Sequence, residues 1–229
     1  MARTEHGPGA ERVLVPVSHS DTVRRLLDVA GRTFADEAGI RLDDKPAPLY
    51  RLLVLSVLLS SRVQSFLGTA ACRELIDAGF GTPQRMHDAA RGDVIAALGR
   101  AHYTRMDEQT TTALGEGAEI VLDRWDGDLR TMRSEADGDA SALARFLTAM
   151  PRIGPVGADI FTREVQLVWP EFRPHLDPKA VDGARVLGLP GDAAQLADLV
   201  DGDDLARLAA ALVRANRDDD VAAEVAAQG

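Results

Sequence analysis

The amino-acid sequence predicts an all-α fold, and three observations carry that prediction. Apolar residues recur at i, i+3 and i+4 in segment after segment, the period of a single helix face. No stretch combines the period of two with the turn signals of paired strands, and nothing repeats at solenoid spacing. Between the periodic segments stand Gly, Pro, Asp, Ser and Thr at positions where helices start and stop.

Residues 1 to about 17 combine Gly and Pro with little periodicity and read as a tail, its short apolar segment Val13 to Val17 resting on the body. Ser18 or Ser20 caps a first helix with Val23, Leu26, Leu27, Ala30 and Phe34 inward, ending near Gly39. Asp43 to Pro48 is a proline-bearing loop. Leu49 to Leu59 is almost continuously apolar, too short to cross a bilayer and suited to a helix buried on all sides. Gln64 to Ala78 is a helix with Phe66, Leu67, Ala70, Ala71, Leu75 and Ile76 inward, terminated by Gly79 and Gly81. Thr82-Pro83 supplies an N-cap and a proline at the first helical position, and Arg91-Gly92-Asp93 opens a short helix through Leu98. Met106 to Trp125 is a long helix ended by Asp126-Gly127-Asp128, and Leu129 to Ala140 reads as a mixed, acidic connection.

Ser141 to Gly188 organises the rest. Leu143, Phe146 and Leu147 give a helical apolar face, which Pro151 and Arg152 stop. Gly154 permits the positive φ or close approach of a sharp reversal, and Pro155 presets the first turn of a helix running to about Val168. Such a hairpin points backbone N–H groups outward at a helix N-terminus, a seat for phosphate. Asp177-Pro178 starts a helix to about Leu187, ended at Gly188. Asp192 or Gly191, then Asp201 to Asp204, cap two more helices, and the last dozen residues, rich in Asp and Ala, read as a solvated terminal helix.

Composition bounds the function. At 45% apolar, the 229 residues contain no run of the ~18 apolar residues that span a bilayer, and the N-terminus has no apolar signal core, so a cytoplasmic protein is expected. The single Cys72 excludes an internal disulfide and a four-cysteine iron–sulfur cluster. His6, His19, His87, His102 and His175 are scattered without metal-ligand spacing, so no metal site is expected. The net charge of −10 opposes unspecific polyanion binding, but residues 191 to 229 hold nine Asp and Glu against three Arg, which leaves room for a basic cleft before them. Lys45 and Lys179 are the only lysines.

Met150-Pro151-Arg152-Ile153-Gly154-Pro155-Val156-Gly157-Ala158, then Leu176-Asp177, then Gly188 eleven residues past the aspartate, resemble the helix-hairpin-helix (HhH-GPD) DNA glycosylase superfamily in its endonuclease III-like branch. That family's hairpin reads roughly L-P-G-[VI]-G-x-K-T-A and its aspartate motif V-D. Leu58-Leu59-Ser60-Ser61-Arg62 is similar to the L-L-S-[AS]-[QR] that ends the family's central helix, and Arg100 to Arg105 corresponds loosely to its I-G-x-[YF]-x-x-K-A. The resemblance spans about Leu49 to Gly188. Two departures stand out: Val156 occupies the position of the lyase lysine, and Arg152 that of the first hairpin glycine.

The resemblance implies a two-lobed helical fold after a tail at 1–17, with 18–48 and 141–229 forming the lobe that carries the hairpin and 49–140 a lobe like a six-helix barrel. It implies base-excision repair on double-stranded DNA containing a lesion or modified base. Many endonuclease III-like members carry an iron–sulfur cluster near the C-terminus, which this chain's single cysteine cannot hold, so no cofactor is expected, and the protein is expected to be a monomer. Asp177 would stabilise the oxocarbenium-like transition state and activate water, while also capping its own helix. Without an amine at Val156 the enzyme would be a monofunctional DNA glycosylase lacking efficient lyase activity. Arg62 would fill the gap left by an extruded nucleotide, and Arg152, Ile153, Gly154, Val156 and Gly157 would contact DNA. His102, Tyr103, Arg105 and Lys179 would face the base pocket. The residues leave open a non-catalytic or retasked DNA-binding member of the fold, and an unrelated all-α interaction protein.

Overall fold

A computed structural model describes residues 18–61 and 63–227, so the expected tail and Arg62 lie outside the described residues. Among the described residues the chain forms fourteen α-helices and two short 3-10 turns, with no strand, as the periodicity predicts.

α1 (His19–Ala30) starts where Ser18 accepts the Asp21 N–H. The single helix expected to run to Gly39 is two. Gly31 closes α1 with its N–H on the Leu27 carbonyl, and a Cβ there would stand 2.3 Å from that oxygen. Thr33 then caps α2 (Phe34–Glu37), which ends at Gly39 with φ +75. The apolar period continues across a break that only the backbone geometry reveals.

α3 (Pro46–Ser60) opens with proline at its first turn, inside the expected loop, and is buried on all sides from Leu49 to Leu58 except at Arg51. It packs against α4 (Ser65–Asp77), α7 (Asp107–Trp125), α8 (Leu129–Ala136) and α10 (Pro155–Val165), and so forms the centre of the molecule. The inward face of α4 is Gly68, Ala71, Cys72 and Leu75. Phe66 was expected inward but falls nearly opposite that face, and it is 60% exposed. α5 (Pro83–His87) packs on α7, as does α6 (Arg91–Arg100), which also touches α4.

The connection expected after Trp125 is helical. Asp128 caps α8 by accepting the Arg130 N–H, and Leu129, Met132 and Ala136 bury one stripe while the charged residues face out. α9 (Ala140–Thr148) packs on α8 and α10. The C-terminal part comprises α11 (Pro178–Val186), α12 (Ala193–Ala197), α13 (Leu205–Arg217) and α14 (Asp219–Ala227). α11 crosses α13 at Gly183, where a Cβ would lie 1.9 Å from the Leu212 carbonyl oxygen. α14 is not merely solvated. It packs on α1 and α13 and buries Val225. No described helix is long and apolar enough to cross a membrane.

Candidate functional site

The hairpin between α9 and α10 turns in a way the sequence pattern misassigns. Gly154 is extended (φ −89, ψ −171), with open space around its Cα. The left-handed residue is Arg152 (φ 62), at the position of the family's first glycine. Such a conformation costs an L-residue roughly 1–2 kcal/mol. Surrounding contacts hold it: the Ser60 hydroxyl, shared with the Val57 carbonyl (2.8 Å), lies 3.1 Å from the Arg152 carbonyl, and Arg152 Nη1 donates to Gln109 Oε1 (2.9 Å) beside Met106 Sδ. The guanidinium therefore spans to the start of α7.

Ile153 is buried and its N–H donates to the Met150 carbonyl, so neither its side chain nor its amide is free for a ligand. Gly157 sits where a Cβ would come within 3.3 Å of Ser60 Cβ, which brings α10 close to α3. The first bond of α10 runs from the Ala158 N–H to the Gly154 carbonyl. The N–H groups of Gly154, Val156 and Gly157 have no protein acceptor among the described residues. This is the ordinary surplus of a helix start.

Asp177 follows the buried Leu176 and caps α11. Its Oδ1 accepts the N–H groups of Lys179 (2.9 Å) and Ala180 (3.3 Å). Its Oδ2 accepts from Arg163 Nη1 in an ion pair whose two side chains are each only 3% exposed. Arg163 lies seven residues after Val156 on α10, two turns along the same face. Its Cζ rests 5.4 Å from the Phe34 ring centroid, and that of Arg214 lies 4.2 Å from the same centroid. Gln166 fixes the loop leading to Asp177 by accepting the His175 N–H and donating to the carbonyls of His175 and Arg163.

Next to Arg163, Glu164 is fully buried and accepts the N–H groups of Phe34 (3.3 Å) and Ala35 (2.9 Å) at the start of α2. Burial pushes its pKa up, and the charge of Arg163 and the two amides offset part of that push. Glu164 thus ties α10 to the segment carrying Phe34, which forms one wall of the site.

Asp177, Val156 and Arg163 line one cavity of about 110 Å³, together with Asp159, Lys179 and Arg217 and an apolar wall that includes Phe34. A wider depression adjoins it and shares Val156, Lys179 and Arg217. Val156 is 40% exposed, unusual for a large aliphatic here, and so presents an apolar side chain where the family has an amine.

Of the expected site residues, the cavity brings together Asp177, Val156 and Lys179. Tyr103, expected to face the base, is 2% exposed in the core. Its N–H, on the Leu98 carbonyl, closes the end of α6. His102, left-handed at φ 58, and Arg105 are exposed and do not line the Asp177 cavity. Arg163 and Arg217 went unidentified. A cue for Arg163 exists in its i+7 spacing from Val156, on a helix side that also carries Asp159 and Ile160. Arg217 has none, because it arrives from α13 by tertiary packing.

Cys72 is buried between α3 and α4, its thiol pushed up to about 12 by desolvation. As the only cysteine, it does not fit a four-thiolate cluster. Among the described residues no group of three or more His, Cys, Asp or Glu is placed to hold a metal.

No family model matches the chain, and no curated protein does. Among solved structures it is similar to a non-covalent endonuclease III–DNA complex, with a TM-score of 0.50 and 12% identity over 86% of each chain. It is also similar to a trapped endonuclease III–DNA covalent intermediate in an estranged-adenine complex, with a TM-score of 0.49 and 13% identity over 86% of each chain. The former likeness shows that the helical fold is that of endonuclease III; it shows the fold alone.

Proposed function

We propose that the protein is a monofunctional DNA glycosylase that hydrolyses the N-glycosidic bond of a damaged or modified base in double-stranded DNA. The observation that carries this reading is the shared cavity: a helix-capping carboxylate, Asp177, lines it together with the exposed Val156 at the start of α10. In the reaction the C1′–N bond breaks and its electron pair leaves with the base, which takes up a proton from solvent. Water oxygen attacks C1′ and gives a proton to the Asp177 carboxylate. At about 4 Å, in surroundings of effective dielectric about 20, a carboxylate stabilises the cationic sugar by about 4 kcal/mol. Val156 carries no amine, so no Schiff base forms there and the strand is not cut by β-elimination. The free N–H groups of Gly154, Val156 and Gly157 seat a backbone phosphate, and Lys179 and Arg217 add positive charge at the cavity. Arg62 and Arg152 remain DNA-contact candidates.

The Arg163–Asp177 pair favours a second reading, a DNA-binding member of the fold without chemistry. A guanidinium on the same carboxylate, about 7 Å from the sugar, opposes the developing charge by about 2 kcal/mol, half or more of what Asp177 supplies. Base-release assays over deaminated, oxidised and alkylated bases, with Asp177→Asn as control, separate the two readings. An absence of salt-dependent affinity for a duplex with an abasic analogue removes both and leaves an interaction protein unrelated to DNA.

A further inference from the structure

Both side-chain oxygens of Asp177 are engaged in this structure. Oδ1 is taken by two amides of α11 and Oδ2 by Arg163, and the carboxylate is almost closed to solvent although it lines the cavity. The helix amides alone suffice to fix and ionise a capping carboxylate. The additional guanidinium is therefore not needed for position, and it places a full positive charge beside the group whose negative charge would serve the reaction. Its hold is one-handed. Only Nη1 reaches Asp177, while Arg163 Nε is buried without an acceptor among the described residues. The planar group rests near the Phe34 ring, whose backbone N–H is fixed by Glu164, so the platform beneath the arginine stays put when the arginine moves.

We propose that Arg163 is a clamp on Asp177: it masks the carboxylate in the free protein, and a nucleotide in the cavity that Arg163 lines relieves the mask by drawing the guanidinium off Asp177 onto its own phosphate oxygens. The clamp presupposes the glycosylase reading above and names the regulation of its site. It makes Arg163 a positioning residue, acting on the reaction only through Asp177, and it accounts for how one cavity holds both a competent carboxylate and the charge that cancels it.

The test is single-turnover base release by the full chain and by Arg163→Gln, which removes the charge and keeps an amide donor, on duplexes bearing uracil, a thymine mismatch, 8-oxoguanine or an alkylated adenine. Arg163→Met serves as a second variant, and Arg163→Lys restores the cation. Melting curves and affinity for a duplex with a tetrahydrofuran abasic analogue are measured alongside. The clamp predicts that Gln or Met raises the rate about tenfold or more, that Lys returns it toward wild type, and that adding Asp177→Asn abolishes the gain. A structural role alone would not raise a rate. If folded variants bind the abasic duplex like wild type yet release no base faster, the clamp is wrong and the DNA reading survives. If wild type shows no specific affinity for the abasic duplex, the reading falls and the clamp falls with it.

Discussion

Replacing Gly183 by alanine sets two effects of opposite sign against each other. In a helix interior, alanine is favoured over glycine by about 0.5–1 kcal/mol, since glycine loses more backbone freedom on folding. Here the new Cβ would stand 1.9 Å from the Leu212 oxygen and 2.7 Å from its carbonyl carbon, both backbone atoms, whereas ordinary contact begins at 3.4 Å. α11 and α13 must separate by roughly 1.5 Å, the kind of overpacking that costs about 1–3 kcal/mol or more. The steric effect wins, for a net loss of about 1–2 kcal/mol, and in a protein of this size Tm falls by about 2–4 °C per kcal/mol. Gly115→Ala in α7 is the control, because nothing lies within 4 Å of its Cβ. It should raise stability by about 0.5–1 kcal/mol. Thermal and urea denaturation of both variants measure the contrast. A Gly183→Ala protein as stable as Gly115→Ala would refute the close crossing of α11 on α13. Since Asp177 caps α11, that result would also undo the placement of the carboxylate.

Three further outcomes follow from the site. Wild type should give no borohydride-trapped complex on abasic DNA, while Val156→Lys, which puts an amine into the Asp177 cavity, should give one; trapping by wild type would contradict the monofunctional reading, and its loss in Lys179→Ala would identify the amine. Arg163→Met leaves the buried Asp177 carboxylate with its two helix amides alone and should cost about 3 kcal/mol, and the loss in Arg163→Met with Asp177→Asn should be well below the sum of the single losses; additive losses in urea melts would contradict the pair. For Glu164 the folded pKa lies above its ordinary value of 4.5, so the folded state favours the protonated acid. Its contribution is therefore fully present below about 4.5 and declines as pH rises through the folded value. The stability of wild type relative to Glu164→Gln should fall over that range in denaturant titrations, and a difference independent of pH would show that Glu164 is not desolvated.

Much of this architecture is legible in local sequence because helix caps and apolar periods are local. Ser18, Thr82 with Pro83, and Asp177 with Pro178 mark helix starts that the structure places within a residue. The errors arise where three-dimensional neighbours decide. Gly31 breaks α1 although the apolar spacing runs on, and α8 hides behind charged residues because its buried stripe is only Leu129, Met132 and Ala136. Phe66 has an apolar side chain but the wrong helical phase. In the hairpin, glycine at 154 suggests the left-handed residue, yet the turn places it at Arg152, tied down by Ser60 and Gln109 from other helices. The site divides in the same way. Asp177 and Val156 are visible from their spacing, whereas Arg163 acquires its role only when the loop fixed by Gln166 folds Asp177 back onto α10.

The most direct test of the account compares single-turnover base release by wild type and Asp177→Asn, at equal affinity for an abasic-analogue duplex. The glycosylase reading predicts release of at least one damaged or modified base by wild type and a fall on the order of 100-fold or more in the variant. Equal rates in the two proteins, or no release by wild type from any base while abasic binding persists, would contradict it.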